Sequence, residues 1–376
     1  MLIGVPKEIK NNEYRVGLTP SNAQELISRG HKVIVEADAG HGVGFDDCHY
    51  IDVGAQISND AASIYKSSDM IVKVKEPQPQ ECKLLKEDQV LFTYLHLAPD
   101  PMQTALLVQS GSVAIAYETV TDDFGGLPLL SPMSEVAGRM AIQAGAHCLE
   151  KSQGGSGMLL GGIPGVPAAR VVVLGGGVVG TNSIRMAIGM EANVTVIDKS
   201  IKRLRELDFQ FGSKLNTVFA TKHNIEFYVA KSDLVIGAVL VPGAAAPKLV
   251  TKQMLSTMRR GSVLIDVSID QGGCFETSRP TTHAEPTFVE DGIVHYCVAN
   301  MPGGCARTAT IGLNNATLPY IISLADNGYK KALLRDPNLL NGLNVMHGKI
   351  TYKAVADALG RENDYVPASN MVGAAA

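Results

Sequence analysis

At 376 residues, 45% hydrophobic and 19% charged, the chain has the composition of an ordinary globule and a length that calls for two domains. A net charge of −4 argues against a nucleic-acid or anionic-lipid surface, and no stretch is long and apolar enough to span a bilayer. The opening MLIGVPKEIK lacks the apolar core of a signal peptide. The six cysteines, without a CxxC pair or metal spacing, read as thiols of a reducing cytoplasm, with no metal site.

LIGV (2–5) is a short strand, followed by the polar loop KEIKNNEYR that ends at Arg15. Pro20 opens a helix closed by Gly30; strand KVIVEA (32–37), an acidic, glycine-rich loop (38–47) and a helix from Ala61 to Lys66 follow. DMIVKVKEP (69–77) is a strand that stops at Lys75, and VLFTYLHLA (90–98) is one that ends around His96. Asp100 and Pro101 start a helix; VAIAYETV (113–120) is the next strand, and Glu118 near its end reads as structural. This alternation predicts a parallel, doubly wound sheet. Ser131, Pro132 and Glu135 are a helix start, with the helix expected to reach about Lys151; 153–167 is too rich in Gly and Pro for regular structure.

The most informative stretch is 170–198, RVVVLGGGVVGTNSIRMAIGMEANVTVIDK. A buried strand leads into Gly175, Gly177 and Gly180 in the spacing G-x-G-x-x-G. A helical run (Asn182 to Gly189) and a second strand (Asn193 to Ile197) ending at Asp198 follow. Gly175 permits the tight turn, Gly177 lets a pyrophosphate approach the backbone, and Gly180 lets helix and strand pack closely. The helix N-terminus offers N–H groups to phosphate, and Asp198 is placed to accept from the ribose hydroxyls, which favours NAD over NADP. Beyond it come a helix (201–210), a strand (233–239), a helix (251–258) and strands 262–267 and 293–299. A helical stretch from about Ala309 is then interrupted by Pro319, and the final MVGAAA is expected to fray. The fold class is therefore α/β: two doubly wound parallel-sheet domains, the NAD-binding one (130–305) a Rossmann fold inserted into the other (1–129 and 306–376).

Ligands of open α/β sheets bind beyond the carboxyl ends of the strands. Lys75 and His96 lie at such ends in the first domain, with Arg15 in the loop after its first strand; Asp270 and Asn300 follow strands of the second. Each has a plainer reading: Arg15 as a solvated charge, His96 as a satisfied core histidine, Asp270 before two glycines as a turn former. Together they compose an amino-acid or keto-acid site, with a guanidinium fork suited to a carboxylate.

These residues sit in long, ordered segments. They are GVPKEIKNNEYRVGLTP (4–20), VKVKEP (72–77), FTYLHLA (92–98), AYETV (116–120), LPLLSPMSEVAGRMA (127–141), GGIPGVP (161–167), DLVIGAVLVPG (233–243), IDQGGCFETSRPTTH (269–283) and YCVANMPG (296–303). Through them the chain closely resembles the alanine dehydrogenase family, which shares its fold with the α subunit of nicotinamide nucleotide transhydrogenase. The resemblance implies reversible, NAD-dependent oxidative deamination of L-alanine to pyruvate and ammonium by a homohexamer. It makes Arg15 and Lys75 substrate ligands and His96 and Asp270 the acid–base pair. Its NAD positions are Ser134, Val178, Val179, Asp198, Arg203, Ala220, Val239, Leu240, Val267, Ser268, Ile269, Asp270, Val298, Ala299, Asn300 and Met301. Ala220 departs from the serine of that pattern. Two alternatives stay open: a transhydrogenase-like subunit that binds NAD without substrate chemistry, and a dehydrogenase of a larger amino acid.

Overall fold

The computed structural model describes residues 1–239 and 246–374, and divides into two compact units, Met1–Met133 with Cys305–Ala376 and Ser134–Gly304. Among the described residues the strands, in chain order, are β1 (Leu2–Val5), β2 (Lys32–Glu36), β3 (Gln56–Ser58), β4 (Met70–Val72), β5 (Val90–Thr93), β6 (Val113–Ala116), β7 (Arg170–Leu174), β8 (Asn193–Asp198), β9 (Leu215–Phe219), β10 (Leu234–Gly237), β11 (Val263–Asp266), β12 (Thr287–Glu290), β13 (Ile293–Tyr296), β14 (Leu343–Met346) and β15 (Lys349–Ile350).

The sheet of the first unit runs β15-β14-β6-β5-β4-β1-β2-β3, and that of the second runs β12-β13-β11-β10-β7-β8-β9. Counted within each unit, the first contains the doubly wound order 3-2-1-4-5-6 and the second 3-2-1-4-5-7, whose direction reverses between β1 and β4 in one and between β7 and β10 in the other. Neither sheet is wholly parallel. β12 pairs antiparallel with β13, and β14 pairs antiparallel with both β6 and β15, so each sheet has antiparallel strands at one edge.

The apolar runs of the second unit follow from burial on both faces. Val171, Val173, Leu234, Ile236, Val263 and Ile265 enter one hydrophobic cluster, while Val172, Leu174, Val235 and Leu264 enter another on the opposite side. Successive side chains of a strand point to opposite faces, so a strand covered on both sides must be apolar throughout. In the first unit Ile71, Leu91, Ala114 and Val345 build a cluster with Leu107 and Ala356.

Several boundaries differ from the sequence expectation. The strands expected to reach Lys75 and His96 end at Val72 and Thr93, and those expected at 113–120 and 293–299 end at Ala116 and Tyr296. Buried side chains continue past the ladders there (Val74 after β4, Tyr94 and Leu95 after β5, Tyr117 after β6, Cys297 and Val298 after β13), so the apolar pattern does not mark where the hydrogen bonding stops. The helix after the glycine turn begins at Val178, four residues earlier than Asn182, since its Gly-rich start is itself helical. Pro319 does not interrupt its helix: Ala306–Asn327 is continuous. One missing N–H and a local clash are tolerated when Leu313, Thr317, Ile321 and Leu324 are buried along the same helix. The tail expected to fray carries a helix, Ala368–Ala374, with Val372 fully buried.

Candidate active site

In the first unit, the candidate residues gather at the carboxyl ends of β1, β4 and β5, around the reversal of strand order. Arg15 is only 2% exposed. Its Nε and Nη2 each donate to the Glu13 carboxylate at 2.6 Å, and its Nη1 lies 3.1 Å from Met133 Sδ. Burial pulls the guanidinium pKa down, but the Glu13 hydrogen bonds and charge more than offset this and raise it above its ordinary value. The solvated-charge reading of Arg15 is thus excluded. So is the simple picture of a guanidinium offering both parallel donors of its Nε edge to a substrate, because Glu13 holds that edge.

The two lysines of VKVK have different fates. Lys73 is fully buried, donating to Glu81 (2.8 Å) and Glu8 (3.2 Å), and Tyr65 donates to the same Glu81 oxygen. Burial pulls the Lys73 ammonium down, and the two carboxylates more than reverse that. Lys75 is half-buried, its Nζ 3.7 Å from Glu76 Oε2 and its backbone N–H directed at Glu8 Oε1 (3.3 Å). Glu8 also accepts from Val74 N (2.7 Å), so one buried carboxylate fixes the backbone that presents Lys75 and neutralises the lysine beneath it.

His96 is not a core histidine: its side chain is 45% exposed. It adopts φ = +49°, a left-handed conformation uncommon for a residue with a Cβ and one that must be held by its surroundings. The Glu118 carboxylate supplies that hold, accepting from His96 N at 2.6 Å and Leu95 N at 3.2 Å; Glu118 Oε1 also lies 3.9 Å from His96 Nδ1. The imidazole stacks on Tyr94 (5.8 Å between centroids, 7° between planes), whose hydroxyl donates to Leu129 O. Glu118 is structural, as read from sequence, but what it supports is the strained backbone of His96. Glu13 and Glu8 were missed. The available signal was a carboxylate two residues from Arg15 and one following the first strand.

In the second unit the glycine turn behaves as its spacing predicts. Gly175 has φ = +97°, a Cβ on Gly180 would lie 1.9 Å from Gly175 O, and a Cβ on Gly177 would meet nothing. Gly177 caps the helix Val178–Gly189, so open space lies over the N–H groups of its first turn, a cradle for a pyrophosphate. Asp198 ends β8 and accepts from Gly176 N and Ser200 N, one on each oxygen at 2.7 Å. A carboxylate has about four lone-pair sites, so acceptor capacity remains for ribose hydroxyls. Arg203 fastens the turn through Gly176 O and Thr181 Oγ1, both at 2.6 Å. These features fit a dinucleotide.

Among the other positions carried from the resemblance, Ser134 lies one helical turn before Gly138, where an added Cβ would meet Val179 O at 2.3 Å; that helix therefore packs against the start of the turn's helix. Val178 is exposed, and Val179, Ala220, Val239 and Val267 are half-buried. Ser268 bridges Val239 N and Val239 O with its hydroxyl, tying the exit of β10 to that of β11. Ile269, Val298 and Met301 bury their side chains, which leaves only their backbones for a ligand, whereas Ala299 is exposed and Asn300 half-buried. Leu240 lies outside the described residues. Asp270 is exposed on a 3₁₀ helix, Val267–Gln271, and its Oδ1 faces Asn300 N at 3.4 Å. Asn300, like His96, has positive φ (+55°). No cluster of metal-binding side chains occurs among the described residues.

Comparison with known proteins gives two family matches: the alanine dehydrogenase/PNT N-terminal domain over residues 4–137 and the alanine dehydrogenase/PNT C-terminal domain over 141–353. Alanine dehydrogenase of Halomonas elongata is 61% identical across 99% of this chain and all of that protein. That of Methanococcus maripaludis is 52% identical with the same coverage. A solved L-alanine dehydrogenase superposes with a TM-score of 0.93 at 50% identity, over 96% of this chain and 99% of that one. A transhydrogenase from Sinorhizobium meliloti, at 24% identity and a TM-score of 0.80 over 94% of this chain and 100% of that one, shares the fold.

Proposed function

Because the chain belongs to the alanine dehydrogenase/PNT family and is an NAD-dependent enzyme of oxidative L-alanine deamination to pyruvate, we propose residue roles for that reaction, which we take to run in both directions. NAD, when bound, supplies the acceptor for the hydride that leaves Cα. Gly175, Gly177, Gly180 and the N–H groups at Val178 and Val179 hold the pyrophosphate, and Asp198 holds the adenosine ribose. Arg203 supports that turn. Ser134, Ala220, Val239, Leu240, Val267, Ser268, Ile269, Val298, Ala299, Asn300 and Met301 line the remainder.

Arg15 binds the substrate carboxylate, with Glu13 fixing its plane. Lys75 binds the same carboxylate and polarises the carbonyl oxygen of pyruvate in the reverse reaction. Loss of hydride leaves an iminium, which water attacks at Cα. His96 takes the proton from that water, and Asp270 orients the amino group or the water. Collapse of the carbinolamine expels ammonia, which leaves as ammonium.

The observation carrying this reading is His96: half-exposed, strained at +49° and held there by Glu118, as a working imidazole is and a core histidine is not. Its test is His96→Ala, with turnover followed at 340 nm and unfolding measured on the same preparation. Loss of roughly 10²–10⁴ in kcat with a retained melting transition is expected. Unimpaired kcat in a stable variant would overturn the role. A cytoplasmic homohexamer is the assembly that the resemblance supports, and light scattering tests its mass.

A further inference from the structure

We propose that Asp266 is a positioning residue for Asp270, acting through the loop 266–278, which its carboxylate grips from inside while Lys248 grips it from outside; this rests on the role given to Asp270 above. Asp266 ends β11 at 2% exposure. Its Oδ1 accepts from Ser268 N (3.1 Å), and its Oδ2 accepts from Cys274 N (2.9 Å), Phe275 N (3.2 Å) and Ser278 Oγ (2.5 Å). The chain returns to that carboxylate through Gly272 and Gly273, both at positive φ, and a Cβ on Gly273 would lie 2.7 Å from Asp266 Oδ2. The loop is therefore wound as tightly on the carboxylate as a glycine allows.

The carbonyls of the same segment point to an ammonium. Lys248 Nζ donates to the oxygens of Gly272 (2.6 Å), Gly273 (2.9 Å) and Phe275 (3.2 Å). One segment thus has its N–H groups held by an anion and its C=O groups by a cation, an arrangement that fixes peptide-plane orientation as well as position. Asp270 needs such a frame. Its side chain is exposed, and it rides on a single short 3₁₀ helix whose hydrogen-bond geometry is intrinsically poor. Asp266 and Lys248 hold the backbone that carries Asp270, whose Oδ1 then meets Asn300 N at 3.4 Å. Proton-transfer and orienting groups lose rate steeply when displaced by about 1 Å, so loosening the frame should lower kcat more than it weakens binding.

Asp266→Asn keeps the shape but turns one oxygen into an NH₂, leaving either Ser268 N or the Cys274–Phe275–Ser278 donors without an acceptor. Lys248→Met removes the outer grip at an exposed position. For each, kcat and KM for L-alanine are measured at 340 nm, NADH binding by fluorescence titration and stability by thermal unfolding, with Asp270→Asn alongside. The kcat should fall at least ~10-fold in Asp266→Asn and at least ~3-fold in Lys248→Met, with NADH affinity and KM changed less than ~3-fold. Lowered stability with kcat per folded enzyme within twofold of the unmodified protein would make the loop merely structural and overturn it. Should Asp266→Asn fail to fold, Lys248→Met decides alone by the same criterion. Normal turnover in Asp270→Asn would bring down the role of Asp270 and this inference with it. Collapse of Asp270→Asn beside normal kcat in the other two would bring down this inference only.

Discussion

Lys73→Met and Lys75→Met should give opposite phenotypes although the residues are two positions apart in one motif. Methionine keeps the length of Lys73 and removes its charge. That leaves Glu8 and Glu81, 8% and 5% exposed, as a pair of buried carboxylates without their shared cation. Removing one partner of a buried ion pair costs about 3–5 kcal/mol. In a unit of ~200 residues that corresponds to a melting temperature lowered by roughly 6–20 °C. The pH dependence carries a sign. Burial already raises the Glu8 pKa, with Lys73 the largest opposing influence, so without Lys73 the carboxyl takes up a proton more readily. A folded-state pKa raised above the unfolded one adds stability at low pH that is lost as pH rises through it. The deficit of Lys73→Met should therefore be larger at neutral pH and shrink toward pH ~5. Lys75→Met, at a half-buried position, should cost under ~1 kcal/mol of stability and lower kcat/KM for L-alanine by at least ~100-fold. Differential scanning fluorimetry across pH and the 340 nm assay measure both. A Lys73→Met melting temperature within ~2 °C of the unmodified protein, or wild-type kinetics in Lys75→Met, would refute the division of labour.

Asp198 should disfavour a 2′-phosphate, giving a preference for NAD over NADP of at least ~10-fold in kcat/KM, about 1.4 kcal/mol, that narrows in Asp198→Asn; equal use of the two by the unmodified enzyme would contradict it. His295 is fully buried, bonded to Thr277 Oγ1 and Ile293 O, and burial lowers its pKa below the ordinary 6.5. A depressed folded-state pKa gives stability present above the unfolded value and lost as pH falls. Urea midpoints should accordingly drop below pH ~6.5, by up to about 1.4 kcal/mol per pH unit, and His295→Phe should flatten that slope.

The stretch 170–198 was readable because its physics is local. Turn, close approach and helix start are set by glycines within six positions, and the terminal acid follows in the next strand. The turn and the close approach lie where spacing put them, while the helix begins at Val178, four residues before the expected Asn182. Apolar runs likewise announced strands buried on both faces, though not where the ladders stop, since buried residues such as Val74, Tyr94 and Leu95 continue beyond β4 and β5. Other facts depended on partners remote in sequence. Whether a lysine of VKVK is a fully buried counter-ion, as Lys73 is, or half-buried, as Lys75 is, was decided by carboxylates such as Glu8, 65 residues from Lys73. That His96 is not a core histidine shows only in its exposed ring and its positive-φ backbone, held by Glu118 22 residues on. The guanidinium edge of Arg15 was claimed by Glu13, a residue whose side chain nothing in a pattern of types directs inward. Composition and local periodicity determine which elements form and which glycines must stay glycine. Which charges are neutralised, and which remain to meet a substrate, is settled only when the sheet brings distant carboxylates into contact, because a buried charge takes its meaning from its partner.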